Sequence, residues 1–208
     1  MTNAIEWTSW FGTAVFAVSG VLAARHKQLD FFGLIVIAAV TALGGGTLRD
    51  VLLGSYPVGW VKDPEHLAVT TIAAALCFFS GRFMVRSRTA QTLLYIFDAL
   101  GLAVFTIMGA RKTLELGHSV VIATSMGMIT GAAGGMIRDL LCGEIPLILR
   151  KEIYATAALA GAFGWVFLRK HLDPESAAWI SILIIFTIRL LAIQWGLRLP
   201  VFRGERNH

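Results

Sequence analysis

The chain has 208 residues, of which 56% are hydrophobic, 15% charged and 21 glycine, and its mean hydropathy is +0.71. So little charge cannot cover the surface of one or two water-soluble cores, so a soluble enzyme is excluded and a single integral membrane domain spanning residues 1–208 is expected. The formal net charge of +5 is spread in small basic groups between apolar runs, which is the pattern of membrane-flanking loops and not of a nucleic-acid-binding surface.

In chain order the apolar runs cover approximately 5–24, 31–54, 65–85, 91–110, 118–143, 153–169 and 176–196. Each is close to the roughly 20 residues that a membrane-crossing helix needs. The first run carries Glu6 and no basic lead, so it reads as a spanning helix and not as a cleaved leader. The connections are short: Arg25 to Gln28, a turn from Pro57 to Pro64, and Arg86-Ser87-Arg88. Seven crossings put the termini on opposite sides. The side holding Arg25, Lys27, Arg82, Arg86, Arg88, Arg138, Arg150, Lys151, Arg198, Arg203 and Arg206 carries eleven basic residues. The other side, with Arg49, Lys62, Arg111, Lys112, Arg169 and Lys170, carries six. The positive-inside rule then predicts an N-terminus outside and a C-terminus in the cytoplasm.

Cys77 and Cys142 lie in or beside apolar runs and read as small buried hydrophobes. The histidines, His26, His66, His118, His171 and His208, fall at segment ends or loops without metal-ligand spacing. Neither a metal nor a cofactor is expected, nor a nucleic-acid partner. Gly44-Gly45-Gly46-Thr47-Leu48-Arg49 lacks the third glycine of a dinucleotide fingerprint, and there is neither a phosphate-binding GxxxxGK[ST] nor a GxSxG. No reaction and no ATP-driven pumping is expected.

The dominant sequence feature is self-similarity at an offset of 89 residues. Gly45, Gly46, Arg49, Asp50, Leu52, Gly54 and Pro57 recur as Gly134, Gly135, Arg138, Asp139, Leu141, Gly143 and Pro146, seven identities in a thirteen-residue window. Upstream, Gly12, Ala14, Val15, Phe16 and Gly20 match Gly101, Ala103, Val104, Phe105 and Gly109, and downstream Lys62-Asp63 matches Lys151-Glu152. Each copy contains three apolar runs, an odd number, so the second copy enters the membrane from the opposite side. The predicted fold is therefore all-α, with seven transmembrane helices: two inverted three-helix repeats, about 5–85 and 91–170, plus a seventh helix at about 176–196. Inverted repeats are an architecture of transport proteins.

Three groups of residues are candidates for function. Gly44, Gly45 and Gly46, and Gly134 and Gly135 after Ala133, are expected to interrupt the second and fifth helices. They serve either close helix packing, on the small-residue ridges Ala38-Ala42-Gly46 and Gly127-Gly131-Gly135, or a pore-lining kink combined with that contact. Arg49-Asp50 and Arg138-Asp139 follow, either as interfacial pairs ending their helices or as inward-facing charges that shape the field or gate of a path. Asp98 and Arg189 are isolated charges deep in the fourth and seventh runs, and a direct pair between them would reconcile both with the hydrocarbon.

GGGTLRD and GAAGGMIRD at the ends of matching helices, DALGLAVF opening the second repeat, and an Arg189 helix ending in Trp195 and Leu199-Pro200 resemble the prokaryotic branch of the TRIC family, the trimeric intracellular cation channels. The resemblance covers about residues 5–200. It implies a homotrimer in a bacterial inner membrane with a pore in each protomer, conducting monovalent cations, mainly potassium with some sodium. It also implies that the glycine-bearing second and fifth helices bend around that pore. Carried over residue by residue, the kink positions are Gly44, Gly45, Gly46, Gly134 and Gly135, with Ala133 in the place of a third glycine; Lys62 and Lys151 are expected near the pore mouths. Membrane lipid is the surrounding partner, and the phosphoinositide association of animal members is not carried over. Sequences of this kind are also grouped as glycine transporters, so the alternative expectation is a secondary carrier of a small neutral amino acid such as glycine, bound at the same glycine positions.

Overall fold

The computed structural model describes residues 3–80, 87–150 and 153–196. Among the described residues there are nine helices and no strand: α1 (Asn3–Ala24), α2 (Phe31–Leu52), α3 (Gly59–Lys62), α4 (Glu65–Phe79), α5 (Ser87–Glu115), α6 (Val120–Leu141), α7 (Leu147–Arg150), α8 (Ala155–Leu168) and α9 (Pro174–Trp195). Five of them, α1, α2, α5, α6 and α9, are long and apolar enough to cross a membrane, whereas α4 and α8 are shorter apolar helices. The protein is a multi-pass helical membrane protein.

The local signals explain where the helices begin and end. The side chains of Asp30 and Asp173 accept hydrogen bonds from the backbone N–H groups of Gly33 (2.7 Å) and Ser176 (2.9 Å), capping α2 and α9. Ser119 holds the equivalent position before α6. Gly54 and Gly143 follow α2 and α6 with φ of +63° and +65°, the left-handed conformation that turns the chain without a Cβ clash. The turn expected from Pro57 to Pro64 contains α3, and its counterpart after α6 contains α7. The fourth apolar run, expected at 91–110, is the middle of a longer helix, which the charged segment from Arg111 to Glu115 continues at its C-terminal end. The end of the third run, Lys151 and the basic tail beyond Trp195 lie outside the described residues.

Helices α1, α2 and α4 pack on one another, and so do α5, α6 and α8; α1 against α5 and α2 against α6 join the two groups, and α9 lies on α5 and α8. The core is built largely of small residues, with Ala17, Ala38, Ala99, Ala103, Ala110, Ala123, Ala158 and Ala162 at most 2% exposed. Outer faces carry exposed Phe79, Val121, Phe163, Trp179 and Leu183, the surface expected against lipid tails, where burial between helices gains little and close backbone contact matters more.

Candidate functional site

The centre of the molecule is the crossing of α2 and α6. A Cβ added at Gly45 would overlap the carbonyl oxygen of Thr130, and one at Gly134 would overlap that of Thr41. The two contacts exchange under the 89-residue offset. Both helices run unbroken through these glycines, which corrects the expected interruptions: the backbone groups stay in the helical ladder. A glycine costs a helix interior about 1 kcal/mol relative to alanine, and the contact that its missing side chain permits across the crossing offsets that cost. Gly44 faces Ile137 across the same crossing. Gly46 and Gly135 lie one residue further round, where Gly46 faces the Arg49 guanidinium and Gly135 faces Asp98, Tyr154 and Arg138.

The first Arg-Asp motif closes the C-terminal turn of α2. Arg49 Nε donates to Asp50 Oδ1 at 2.8 Å, with Nη2 2.7 Å from the same oxygen, and Lys112 Nζ of α5 donates to it at 2.7 Å. Asp50 Oδ2 accepts from the backbone N–H of Gly59 at 2.8 Å, so one fully buried carboxylate ties α2 to α3 and α5. Trp60 Nε1 donates to Thr47 Oγ1 at 3.0 Å and fixes α3 over the helix end. Beside this knot lies a cavity of about 330 Å³ that descends from Arg111 and Glu115 past Lys112, Arg49 and His66 to Gly46, Ala42 and Phe105. From Asp50 to Ala42 is about 12 Å of helix axis at 1.5 Å per residue, so the cavity reaches about two turns down α2 from its C-terminal end.

The second motif repeats the local geometry and changes the surroundings. Arg138 Nε donates to Asp139 Oδ1 at 2.9 Å and Asp139 Oδ2 accepts from the backbone N–H of Leu147 at 2.9 Å, as in the first copy. Arg138 Nη1 additionally donates to Asp98 Oδ1 at 2.9 Å and to Ser19 Oγ. Arg138 and Asp98 are completely buried, and Tyr154 and Arg189 nearly so. Where the first copy holds a cavity, the second holds a plug of paired charge.

The expected pair of Asp98 with Arg189 is therefore corrected: Asp98 pairs with Arg138. Arg189 lies with its guanidinium carbon 4.6 Å from the centre of the Tyr154 ring, and its Nη1 donates to the Ile153 carbonyl at 3.5 Å. An aromatic face and a carbonyl stabilise a buried guanidinium without a carboxylate. Lys62 is exposed on α3, two residues beyond Trp60, and does not line the cavity. Both Arg-Asp pairs turn inward, toward α5. Lys112, His66, Ser9, Thr13, Ser19 and Tyr154 belong to the two sites and were not singled out from sequence; the only signal for them is hydroxyl or basic character at helical spacing along otherwise apolar helices.

Long apolar helices around a buried, duplicated Arg-Asp motif, with a cavity that carries charged residues beside the first copy, define a polytopic membrane protein. The sequence profile of the family described as Glycine transporter matches residues 6–82 and 95–170, one copy of the motif in each segment. The chain belongs to that family, in its prokaryotic TRIC branch. It is 42% identical over 207 residues to the UPF0126 inner membrane protein YadS of Escherichia coli strain K12, covering 98% of both chains. It is 46% identical over 204 residues to a UPF0126 membrane protein of Vibrio cholerae, covering 97% of this chain and 84% of the relative. Among solved structures it is similar to the TRIC trimeric intracellular cation channel orthologue from Rhodobacter sphaeroides, with a TM-score of 0.88 and 40% identity over 94% of this chain and 100% of that one. A prokaryotic TRIC channel in 0.5 M KCl gives a TM-score of 0.89 and 32% identity over 96% of this chain and 100% of that one. The protein is a multi-pass inner-membrane protein of this family.

Proposed function

We propose that the chain is a passive monovalent-cation channel, conducting potassium with some sodium through a separate pore in each protomer of a homotrimer. The observation that carries this reading is the cavity that runs beside α2 from Arg111 and Glu115 to Phe105 and stops short of the buried Arg138-Asp98 pair. Such a shape is half of a path, open at one end and closed by an ion pair at the other. The similarity to solved TRIC cation channels supports the same reading. In this proposal α4 and α8 also cross, giving seven spans in two inverted three-helix repeats, about 5–85 and 91–170, with α9 as the seventh. The N-terminus and the cavity mouth face outside and the C-terminus lies in the cytoplasm.

The path follows the glycine-bearing faces of α2 and α6, where missing side chains leave room and Gly44, Gly45, Gly46, Gly134 and Gly135 set the helix separation. Asp50 supplies the negative charge that attracts a cation, and in the resting arrangement the Lys112 ammonium occupies the place beside it. When that flexible side chain swings away, a potassium ion of similar size takes its position, and field and size jointly set preference. At the other end the Arg138 guanidinium must leave Asp98 and Ser19 before an ion passes, so Arg138 and Asp139 form the gate. Flux is driven by ion gradient and voltage, and no reaction is catalysed.

Recording of the purified protein in a planar bilayer under a potassium gradient, with and without glycine, tests this directly. Discrete current steps that reverse near the potassium potential and ignore glycine are expected. A silent bilayer beside saturable glycine uptake by the same preparation in liposomes would assign the cavity to a carrier.

A further inference from the structure

We infer that His66 is a proton-binding site in the wall of the cavity, and that its protonation turns down cation access. The inference rests on the cation-channel reading for its functional consequence and on hydrogen bonding alone for the proton site.

His66 lies at the start of α4 and lines the cavity opposite Arg49 and Lys112. Its Nδ1 is 3.1 Å from Thr13 Oγ1 and its Nε2 is 3.5 Å from Ser9 Oγ. The Thr13 hydroxyl gives its single proton to the Ser9 carbonyl at 2.9 Å. It can therefore only accept from the ring, and Nδ1 must carry a hydrogen. That fixes the neutral tautomer with the lone pair on Nε2, the nitrogen facing the Ser9 hydroxyl. A serine hydroxyl donates or accepts by rotation about one bond. When Nε2 takes a proton, Ser9 turns from donor to acceptor and the contact of α4 with α1 persists. The site thus binds a proton without unfolding its surroundings, at an imidazole whose ordinary pKa falls within the physiological range.

The charge would appear in a cavity that already leans positive. Facing His66 are Arg49 and Asp50 from α2 and Arg111, Lys112 and Glu115 from α5; α1 contributes the hydroxyls of Ser9 and Thr13, and α3 contributes Gly59 and Trp60. On its own side, Asp63 and Glu65 flank it in the chain. Asp50 is already shared by Arg49 and Lys112, and Glu115 is held by Arg111 at 2.8 Å. Asp63 and Glu65 offset part of an imidazolium's charge, and among the described residues each cavity-lining carboxylate already has a cationic partner, so the rest of the new charge acts on a permeating cation in the cavity.

The test is potassium conductance in planar bilayers with each compartment acidified separately from about pH 7.5 to about pH 4.5, a range extended below that of an ordinary imidazole because the ring is half-buried. Conductance of the unaltered protein should fall roughly three- to tenfold, the effect of one unit charge about 4 Å away in a hydrated, nearly water-like cavity, and only when the cavity side is acidified. His66→Gln, whatever its conductance at neutral pH, should lose the fall on acidification, and His66→Lys should conduct equally poorly at both values. An identical pH profile in His66→Gln, or a conducting protein indifferent to pH, overturns the inference. If the bilayer is silent throughout, the channel reading fails instead. The proton site then stands or falls on the imidazole ¹⁵N shifts of His66 in the detergent-solubilised protein: a neutral ring protonated at Nε2 contradicts it, and one protonated at Nδ1 that titrates at Nε2 supports it.

Discussion

The two Arg-Asp motifs are the same sentence written in two places. Arg49-Asp50 and Arg138-Asp139 share the arginine-to-aspartate bond, the backbone N–H bound to the second carboxylate oxygen, and the left-handed glycine after the helix. They differ in what the neighbouring helices bring. The position of Asp98 in the second copy is Ser9 in the first, and the position of Tyr154 is Glu65. With Ser9 at the first site a cavity remains beside Arg49, whereas Asp98 and Tyr154 pack around Arg138 and Gly135 at the second. The difference teaches that duplication supplies the scaffold, and a few substitutions on α1, α4, α5 and at the start of α8 leave a cavity beside one Arg-Asp motif and a packed ion pair at the other.

The largest expected effect comes from breaking the closed end. Arg138→Met leaves Asp98 charged and unpaired in the interior and should cost about 3–5 kcal/mol of stability, read as the thermal midpoint of the detergent-solubilised oligomer. Adding Asp98→Asn should recover most of that loss. Arg49→Met should cost distinctly less, because Lys112 stays on Asp50; equal losses at the two sites would erase the distinction. Next come the glycines. Gly45→Ala and Gly134→Ala each drive a methyl into the carbonyl of the opposite helix and should cost about 1–3 kcal/mol, the usual price of overpacking. Gly46→Ala meets only the far end of Arg49 at 3.8 Å, so it should be neutral or stabilise slightly while narrowing the cavity and lowering conductance.

Lys112→Gln is a smaller perturbation of stability, since its ammonium is partly exposed and Arg49 and the Gly59 N–H stay on Asp50. It should nonetheless raise potassium conductance by freeing Asp50, and unchanged conductance would remove Lys112 from the path. The smallest effect belongs to the exposed pair of Lys27 with Glu144, 2.9 Å apart. The Lys27 hydrogen bond holds the Glu144 carboxyl below its ordinary pKa. Its contribution is therefore present at neutral pH and is lost as pH falls through that lowered value, and Lys27→Ala should flatten only this acid shoulder of a stability profile.

Much of the scaffold could be read in the sequence because its signals are local. The 89-residue offset carries α2, 31–52, onto α6, 120–141, residue for residue, because caps, glycines and the Arg-Asp pair recur together. The short helices α3 and α7 escaped because four residues after a proline carry no periodicity. Asp98 was visible as a costly buried charge, but its partner was not. Arg138 and Arg189 both lie in apolar segments, and which one meets Asp98 depends on how α5 crosses α6 and α9. The glycines were read as interruptions because glycine weakens an isolated helix; only the opposed carbonyls of Thr41 and Thr130 explain why these helices remain whole.

The difference in access between the two sites is tested most directly on one helix. Ser9 and Ser19 both lie on α1, the first half-buried in the cavity wall and the other fully buried against Arg138. In a Cys77→Ala, Cys142→Ala background, Ser9→Cys and Ser19→Cys would be exposed to a small charged thiol reagent from both sides of the membrane. Rapid labelling at position 9 from one side only, with position 19 protected from both sides, is the predicted result. Equal labelling at both positions, or faster labelling at position 19, would contradict a path open at the first Arg-Asp site and closed at the second.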